Sequence, residues 1–315
     1  MNNFVLNRPP DVARCVAAAA QPGASFIAGG TTVIDLWKLG AYPVTQLVDL
    51  NGLALRGISA GPGGLKLGAL ARMSAVGEHA DVKTHYPLVA QALLLSASPQ
   101  IRNMGTMGGN LLQRPRSLAY RNPDPQRRDG PSRFDALFGV TGHSRAPHPS
   151  DLAVALTALD ASVRIAGAAP RGERTLKLSE FYRIPQDSLK FDTLQPGEMI
   201  TAVEASVPFA RHSAYIKIRD RASYQFAIVS AAVALDLDGD TIREARIAAG
   251  GVGTIPWRFP AAESALAGQR ATPESFTRAI ARLDRGAVTH EFNLFKVDLL
   301  RRTTLRALEA ALAAT

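Results

Sequence analysis

IRNMGTMGGNLLQRPRS, residues 101 to 117, changes character halfway along. Its first half is a glycine turn, Gly105 to Asn110, with a threonine hydroxyl at Thr106 and a side-chain amide at Asn110. Glycines let backbone approach a ligand closely, and free N–H groups there suit a phosphate oxygen. An earlier stretch, FIAGGTT, offers a second such turn, Ala28 to Thr32, between a short apolar strand and a helix. Either turn alone reads more readily as a tight connection that needs positive φ. Two of them, each followed by Thr or Asn, suit the two phosphates of a diphosphate. Neither is a dinucleotide or P-loop fingerprint: no GxGxxG and no GxxxxGK occurs, and the nearest candidate, GVGTIP, ends in proline.

Outward from the turns, strands and helices alternate. PPDVARCVAAAA, SFIAGG, TTVIDLWKLG and TQLVDL predict a small α/β unit over residues 1–55. LKLGAL predicts a strand, MSAVGEHADVKTHY one helix, and PLVAQALLLSAS a more apolar helix that stops before Pro99. Residues 114–149 form a Pro/Arg/Asp-rich insert with little periodicity, and DLAVALTALDASVRIAG then restores a helix and a strand. This second unit spans 56–208. In the third, 209–315, IVSAAVALDLDGDTIREARIAAGGV predicts a hairpin around Asp-Gly-Asp. The tail FKVDLLRRTTLRALEAALAA predicts a helix with Leu299, Leu300, Leu305, Leu308 and Leu312 on its apolar face. The expected fold class is α+β, with an antiparallel sheet covered by helices at the C-terminal end.

Composition excludes several functions. Of 315 residues, 46% are hydrophobic and 20% charged, enough for a packed core. The net charge of +9 suits an anionic ligand, but the arginines are scattered, with no polybasic tract interleaved with aromatics to indicate nucleic-acid binding. Cys15 is the only cysteine, which rules out an intrachain disulfide or a thiolate-built metal site. The six histidines are dispersed and HEFNLF is not HExxH, so no catalytic set is apparent. No signal peptide or membrane-spanning run is evident, and a cytoplasmic location is expected.

FIAGGTT, IRNMGTMGGNLL, HPSDLAVAL, YIKIRDRASYQFAIVSAAV and GGVGTIPWR follow one another in an order that resembles the FAD-binding subunits of the xanthine dehydrogenase, aldehyde oxidoreductase and CO dehydrogenase family. The resemblance spans nearly the whole chain and is strongest to the medium subunit of bacterial three-subunit molybdenum aldehyde dehydrogenases. It implies a vanillyl-alcohol-oxidase-type FAD fold, two α/β subdomains and a C-terminal α+β domain. It implies that Ala28, Gly29, Gly30, Thr31 and Thr32 wrap the pyrophosphate, flanked by Ile27 and Val33. Thr106, Gly109 and Asn110 would form the second loop, with Leu112 near the isoalloxazine. Asp151 would accept from ribityl or ribose hydroxyls, Lys217 would lie by the flavin ring, and Ile200 would touch the ring or the adenine.

The same resemblance implies partners: a molybdopterin-binding large subunit, a [2Fe–2S] small subunit and an external electron acceptor. Relatives also hold a [4Fe–4S] cluster on four cysteines of the insert, whereas here Ser117 and Ser144 stand at the first and last positions. A hydroxyl is a poor iron ligand beside thiolates, so FAD without an iron–sulfur cluster is expected. Arg114, Arg116, Arg121, Arg127, Arg128, Arg133 and Arg145 read either as a solvated basic loop or as a docking surface. Proline stiffness and a partner subunit are expected to hold the insert in shape. Two other functions compete: a stand-alone flavin oxidoreductase of the same fold, and a basic RNA-binding protein.

Overall fold

The computed structural model describes residues 3–122, 124, 130–207 and 212–314. Three sheets organise them. The first is parallel, in the order β1–β3–β2, from β1 (Val5–Asn7), β2 (Ala24–Ile27) and β3 (Gln46–Asp49). Parallel neighbours need crossovers, here the helices Val12–Ala19 and Val33–Lys38. Asp11 caps the former by accepting from Arg14 N at 2.8 Å, and Cys15 and Val16 are buried beneath it.

The second sheet is antiparallel, ordered β4–β5–β8–β6–β7: β4 (Ile58–Gly61), β5 (Gly64–Gly68), β6 (Ser162–Ala166), β7 (Glu173–Lys177) and β8 (Met199–Ala205). A layer of short helices covers it. The single helix expected over MSAVGEHADVKTHY is two, Met73–Glu78 and Ala80–His85. His79, at φ −64° and ψ 128°, is extended and serves as cap to both. The helix Asp151–Ala158 is buried along its whole length and packs against the helix Pro87–Leu94 of this layer. Leu88, Leu93, Met107, Leu111, Leu156, Val163 and Val203 share its core. Fully burying such a side chain contributes about 1.5–3 kcal/mol.

The third sheet is β9 (Ser213–Ile218), β10 (Val229–Asp238), β11 (Thr241–Gly250) and β12 (Trp257–Arg258), ordered β12–β11–β10–β9. The hairpin turns at Gly239, φ +58°. The helix Phe295–Ala313 packs across β9 and β10. Its buried face is Lys296, Leu300, Thr303, Thr304, Ala307, Leu308 and Ala311. Leu299 and Leu305 sit at the margin and Leu312 is exposed, so the predicted leucine stripe is rotated from the true contact face. The small side chains let the helix lie close to a sheet that is itself alanine-rich.

The insert departs most from expectation. Its described second half is stitched to the third sheet by this chain's own groups. Leu137 N and Phe138 N both donate to Val252 O, at 2.7 and 2.9 Å, and His148 N donates to Gly253 O at 2.9 Å. Phe138 stacks on Trp257, ring centroids 5.1 Å apart. The buried ammonium of Lys296 donates to the carbonyls of Phe134 (3.0 Å), Asp135 (2.9 Å) and Gly251 (2.7 Å). Four described arginines are paired: Arg116 and Arg121 with Asp35, Arg133 with Asp220, Arg145 with Asp135. They are therefore not a purely solvated loop. This half is thus held at least in part by the chain's own contacts rather than by proline stiffness and a partner subunit alone. Arg127 and Arg128 lie outside the described residues.

Candidate cofactor-binding site

The strand β2 ends at Ile27, and the chain turns through Ala28–Thr32 before the helix at Val33. Gly30 has φ +72°, where a side chain would strain the backbone. Gly29 is required for another reason. A Cβ on it would lie 2.0 Å from the carbonyl oxygen of Met104 and 3.2 Å from Gly105 N. The first glycine turn therefore rests directly on the backbone that enters the second.

That second turn is not a loop as the sequence suggested. Thr106 is the N-cap of a short helix, Met107–Leu111, and its hydroxyl accepts from Gly109 N at 3.3 Å. Met107 N and Gly108 N donate to Ala71 O and Ala69 O, which fixes this helix on the second sheet. The N–H groups of Gly29, Gly30, Thr31 and Thr32 find no acceptor among the described residues. Such unpaired donors side by side form an anion-binding concavity.

Both turns face a cavity of 880 Å³, within the range of about 300–1,000 Å³ for small-molecule and cofactor sites. Ala28, Gly29, Gly30, Thr31, Thr32, Val33, Thr106, Gly109, Leu112 and Ile200 all line it. Ile27 does not; it packs beside Trp37, Val44 and Leu47, behind the first turn. Phe191, Leu194 and Ile200 give it apolar walls for a flat ring, and Tyr42 and Arg114 also line it. Tyr42 was not singled out by the sequence, and Arg114 stood out there only as one basic residue of the insert, because nothing in their local pattern marks either as a cavity residue.

Asn110, Asp151 and Lys217 sit behind the cavity lining in one buried polar network. The Asn110 carbonyl accepts from the Ser150 hydroxyl at 2.5 Å, and its amide faces Met73 Sδ at 3.3 Å. The Asp151 carboxylate accepts from Ser96 Oγ (2.8 Å), Tyr215 Oη (2.6 Å) and Lys217 Nζ (2.7 Å). Lys217 also donates to Leu95 O at 3.2 Å. Burial, then the charge of Asp151, holds the Tyr215 phenol far above its usual range. Tyr215 and Lys217 are two apart on β9 and so share a face, a signal the sequence did contain. A second cavity, 540 Å³, lies beyond this network between Asp151, the insert and the third sheet.

Two other groups shape the cavity's electrostatics. Burial raises the Asp192 carboxyl above its usual value, despite a backbone N–H from Leu194 and nearby cations. Burial acts likewise on Glu198, but there it is outweighed. The two-pronged bond from Arg174 and the N–H of Gln195 hold that carboxyl below its ordinary value. No three His, Cys, Asp or Glu side chains converge as metal ligands among the described residues.

A cavity of this size, a nest of unpaired amides and apolar lining residues fit a dinucleotide such as FAD: the donors suit its diphosphate and the apolar residues its rings. Comparison with known proteins agrees. Residues 2–209 match the FAD binding domain in molybdopterin dehydrogenase, and residues 214–311 the CO dehydrogenase flavoprotein C-terminal domain. The chain is 39% identical to the FAD-binding subunit of an aldehyde oxidoreductase of Escherichia coli over 98% of its length and 97% of that protein. It is 28% identical to the glyceraldehyde dehydrogenase medium chain of Sulfolobus acidocaldarius over 83% of each. Its fold is that of a chain of CO dehydrogenase from Oligotropha carboxidovorans, with a TM-score of 0.80 over 100% of this chain and 99% of that one at 24% identity.

Proposed function

Since this chain belongs to the family of FAD-binding subunits of molybdopterin dehydrogenases, we propose that it is the FAD-binding, electron-transferring medium subunit of a molybdenum hydroxylase that oxidises an aldehyde or N-heterocycle. Electrons enter from a [2Fe–2S] subunit and leave to an external acceptor. A molybdopterin-binding large subunit carries out the oxidation of substrate. Among the described residues no helix is long and apolar enough to cross a membrane.

The observation that carries this reading is the seating of Gly29 on Met104 and Gly105 beside four unpaired amides. It sets one nest of free donors against the second turn, whose own N–H groups at Gly105, Met107, Gly108, Gly109 and Asn110 are already bonded, so the diphosphate is held chiefly by the first turn. The first turn would hold the diphosphate through its N–H groups and the hydroxyls of Thr31 and Thr32. Gly109 leaves room for the ligand at the second turn, Leu112 and Ile200 exclude water, and Asn110, Asp151 and Lys217 fix the second turn to the third sheet. When bound, FAD supplies the ability to take up electrons singly and release them singly or in pairs. Nothing in that role calls for a side-chain nucleophile or an acid–base pair.

Absorption spectroscopy of the purified full chain tests the reading. A flavin spectrum, with FAD released on denaturation, is expected. A chain that stays colourless when purified with its partners and supplied with FAD would overturn it. Turnover by the isolated chain on a substrate of its own would favour a stand-alone oxidoreductase.

A further inference from the structure

Asp192 and Glu198 line the cavity, Glu198 already paired with Arg174 and Arg171, and the ligand would add a doubly charged diphosphate. Backbone amides offer only partial charges. Two cations line the cavity, Lys190 and Arg114. Lys190 donates to Leu194 O and is thereby engaged.

Arg114 is not. Of the five described arginines of the insert, it alone has no carboxylate within ion-pair distance. Its guanidinium lies over the ring of Tyr42, 4.6 Å from the centroid. Tyr42 is anchored in turn, since Ser25 Oγ donates to its hydroxyl at 3.3 Å. The chain on both sides of Arg114 is also fixed. Leu112 N and Gln113 N close on Gly108 O and Asn110 O. Arg116 and Arg121 then clamp onto Asp35, at 3.0 and 2.7 Å, on the helix that follows the first glycine turn. A planar guanidinium held by one face keeps its edge N–H groups free for two-pronged contact with phosphate.

Resting on the FAD reading, we propose that Arg114 is a cofactor-binding residue: stacked on Tyr42, it is the counter-charge to the diphosphate. The Arg116/Arg121–Asp35 clamp holds it in place. The start of the insert thus latches the cavity across its mouth, from the second glycine turn to the helix Val33–Lys38.

Flavin-stripped full chain titrated with FAD at several salt concentrations, read by quenching of flavin fluorescence, decides it. Arg114→Gln should weaken binding by about 10–100-fold, as expected for loss of a charged hydrogen bond, and flatten the salt dependence of the affinity. Arg114→Lys should keep the salt dependence while losing part of the affinity. Tyr42→Leu should weaken binding less than Arg114→Gln, and circular dichroism reports whether each variant folds. Wild-type affinity in Arg114→Gln, or weaker binding with an unchanged salt dependence, would overturn the assignment. Failure of the wild-type chain itself to bind FAD would instead overturn the underlying reading and this inference with it.

Discussion

The ammonium of Lys217 lies 2.7 Å from a carboxylate oxygen of Asp151, with side chains only 1% and 6% exposed. This pair ties β9 to the helix Asp151–Ala158, whose N-cap Ser150 bonds to Asn110 of the second glycine turn. Removing one partner of a buried pair leaves an uncompensated charge, at a cost of about 3–5 kcal/mol. Lys217→Met should therefore lower the melting temperature sharply and reduce the FAD content of purified protein. Adding Asp151→Asn should recover part of the stability. A Lys217→Met chain that melts with the wild type would refute the tie.

Gly29→Ala tests the contact between the two turns. The added methyl would meet the Met104 carbonyl at 2.0 Å, so the backbones must part. Overpacking of this kind costs about 1–3 kcal/mol. The ratio of FAD to protein after gel filtration should fall well below that of wild type, with circular dichroism little changed. Unaltered flavin content would show that the turns can separate without consequence.

His148 sets an acid limit on stability. Burial pushes its pKa down from 6.5 to about 3, against a smaller upward effect of the Leu111 carbonyl. The ring is thus neutral in the folded protein, edge-on to Tyr182 and Phe191 at 4.9 and 5.1 Å. Between pH 6.5 and about 3 the unfolded chain binds the extra proton, so this part of the stability is intact above 6.5 and is lost as pH falls. His148→Phe keeps the ring contacts and removes the titration. Urea midpoints from pH 7.5 to 4 should fall less steeply for this variant than for wild type.

Lys296 acts at the other end of the scale. Burial lowers its pKa from 10.5 to about 7, with Asp135 opposing and Arg133 assisting. Between those values the unfolded chain again binds the extra proton, so stability from this group rises as pH rises from 7 towards 10.5. Lys296→Met should lose that rise. It should also be less stable throughout, because three carbonyls lose their donor, at about 1–3 kcal/mol for each one left unsatisfied. Thermal melts between pH 6.5 and 9.5 measure both effects.

Of the described strands, β2, β3, β5, β6, β10 and β11 could be read from alternation, glycines and helix caps, whereas β1, β4, β7, β8, β9 and β12 were not. The β10–β11 hairpin and the strand–turn–helix around Gly29 and Gly30 are local in sequence, so local signals suffice for them. The break at His79 was invisible, because the apolar pattern runs through it and only packing forces the extended backbone. The charge network was half legible. Asp151 and Lys217 stood out by motif, but their partners Ser96 and Tyr215 are set by tertiary contacts 55 and 64 residues away from Asp151. Arg114 and Tyr42, 72 positions apart by number, face one cavity only because the chain folds back on itself. The insert was misjudged for the same reason. Its partners, Val252, Gly253 and Lys296, lie more than a hundred residues downstream of most of it.

The stitching of the insert to Val252, Gly253 and Lys296 bears on biogenesis. Where a segment is shaped around an iron–sulfur centre, it cannot mature before that centre is delivered, and iron shortage becomes a folding problem. Here the described second half closes on carbonyls and side chains that the ribosome itself supplies. The contacts that hold this described half therefore form without any iron being delivered to it.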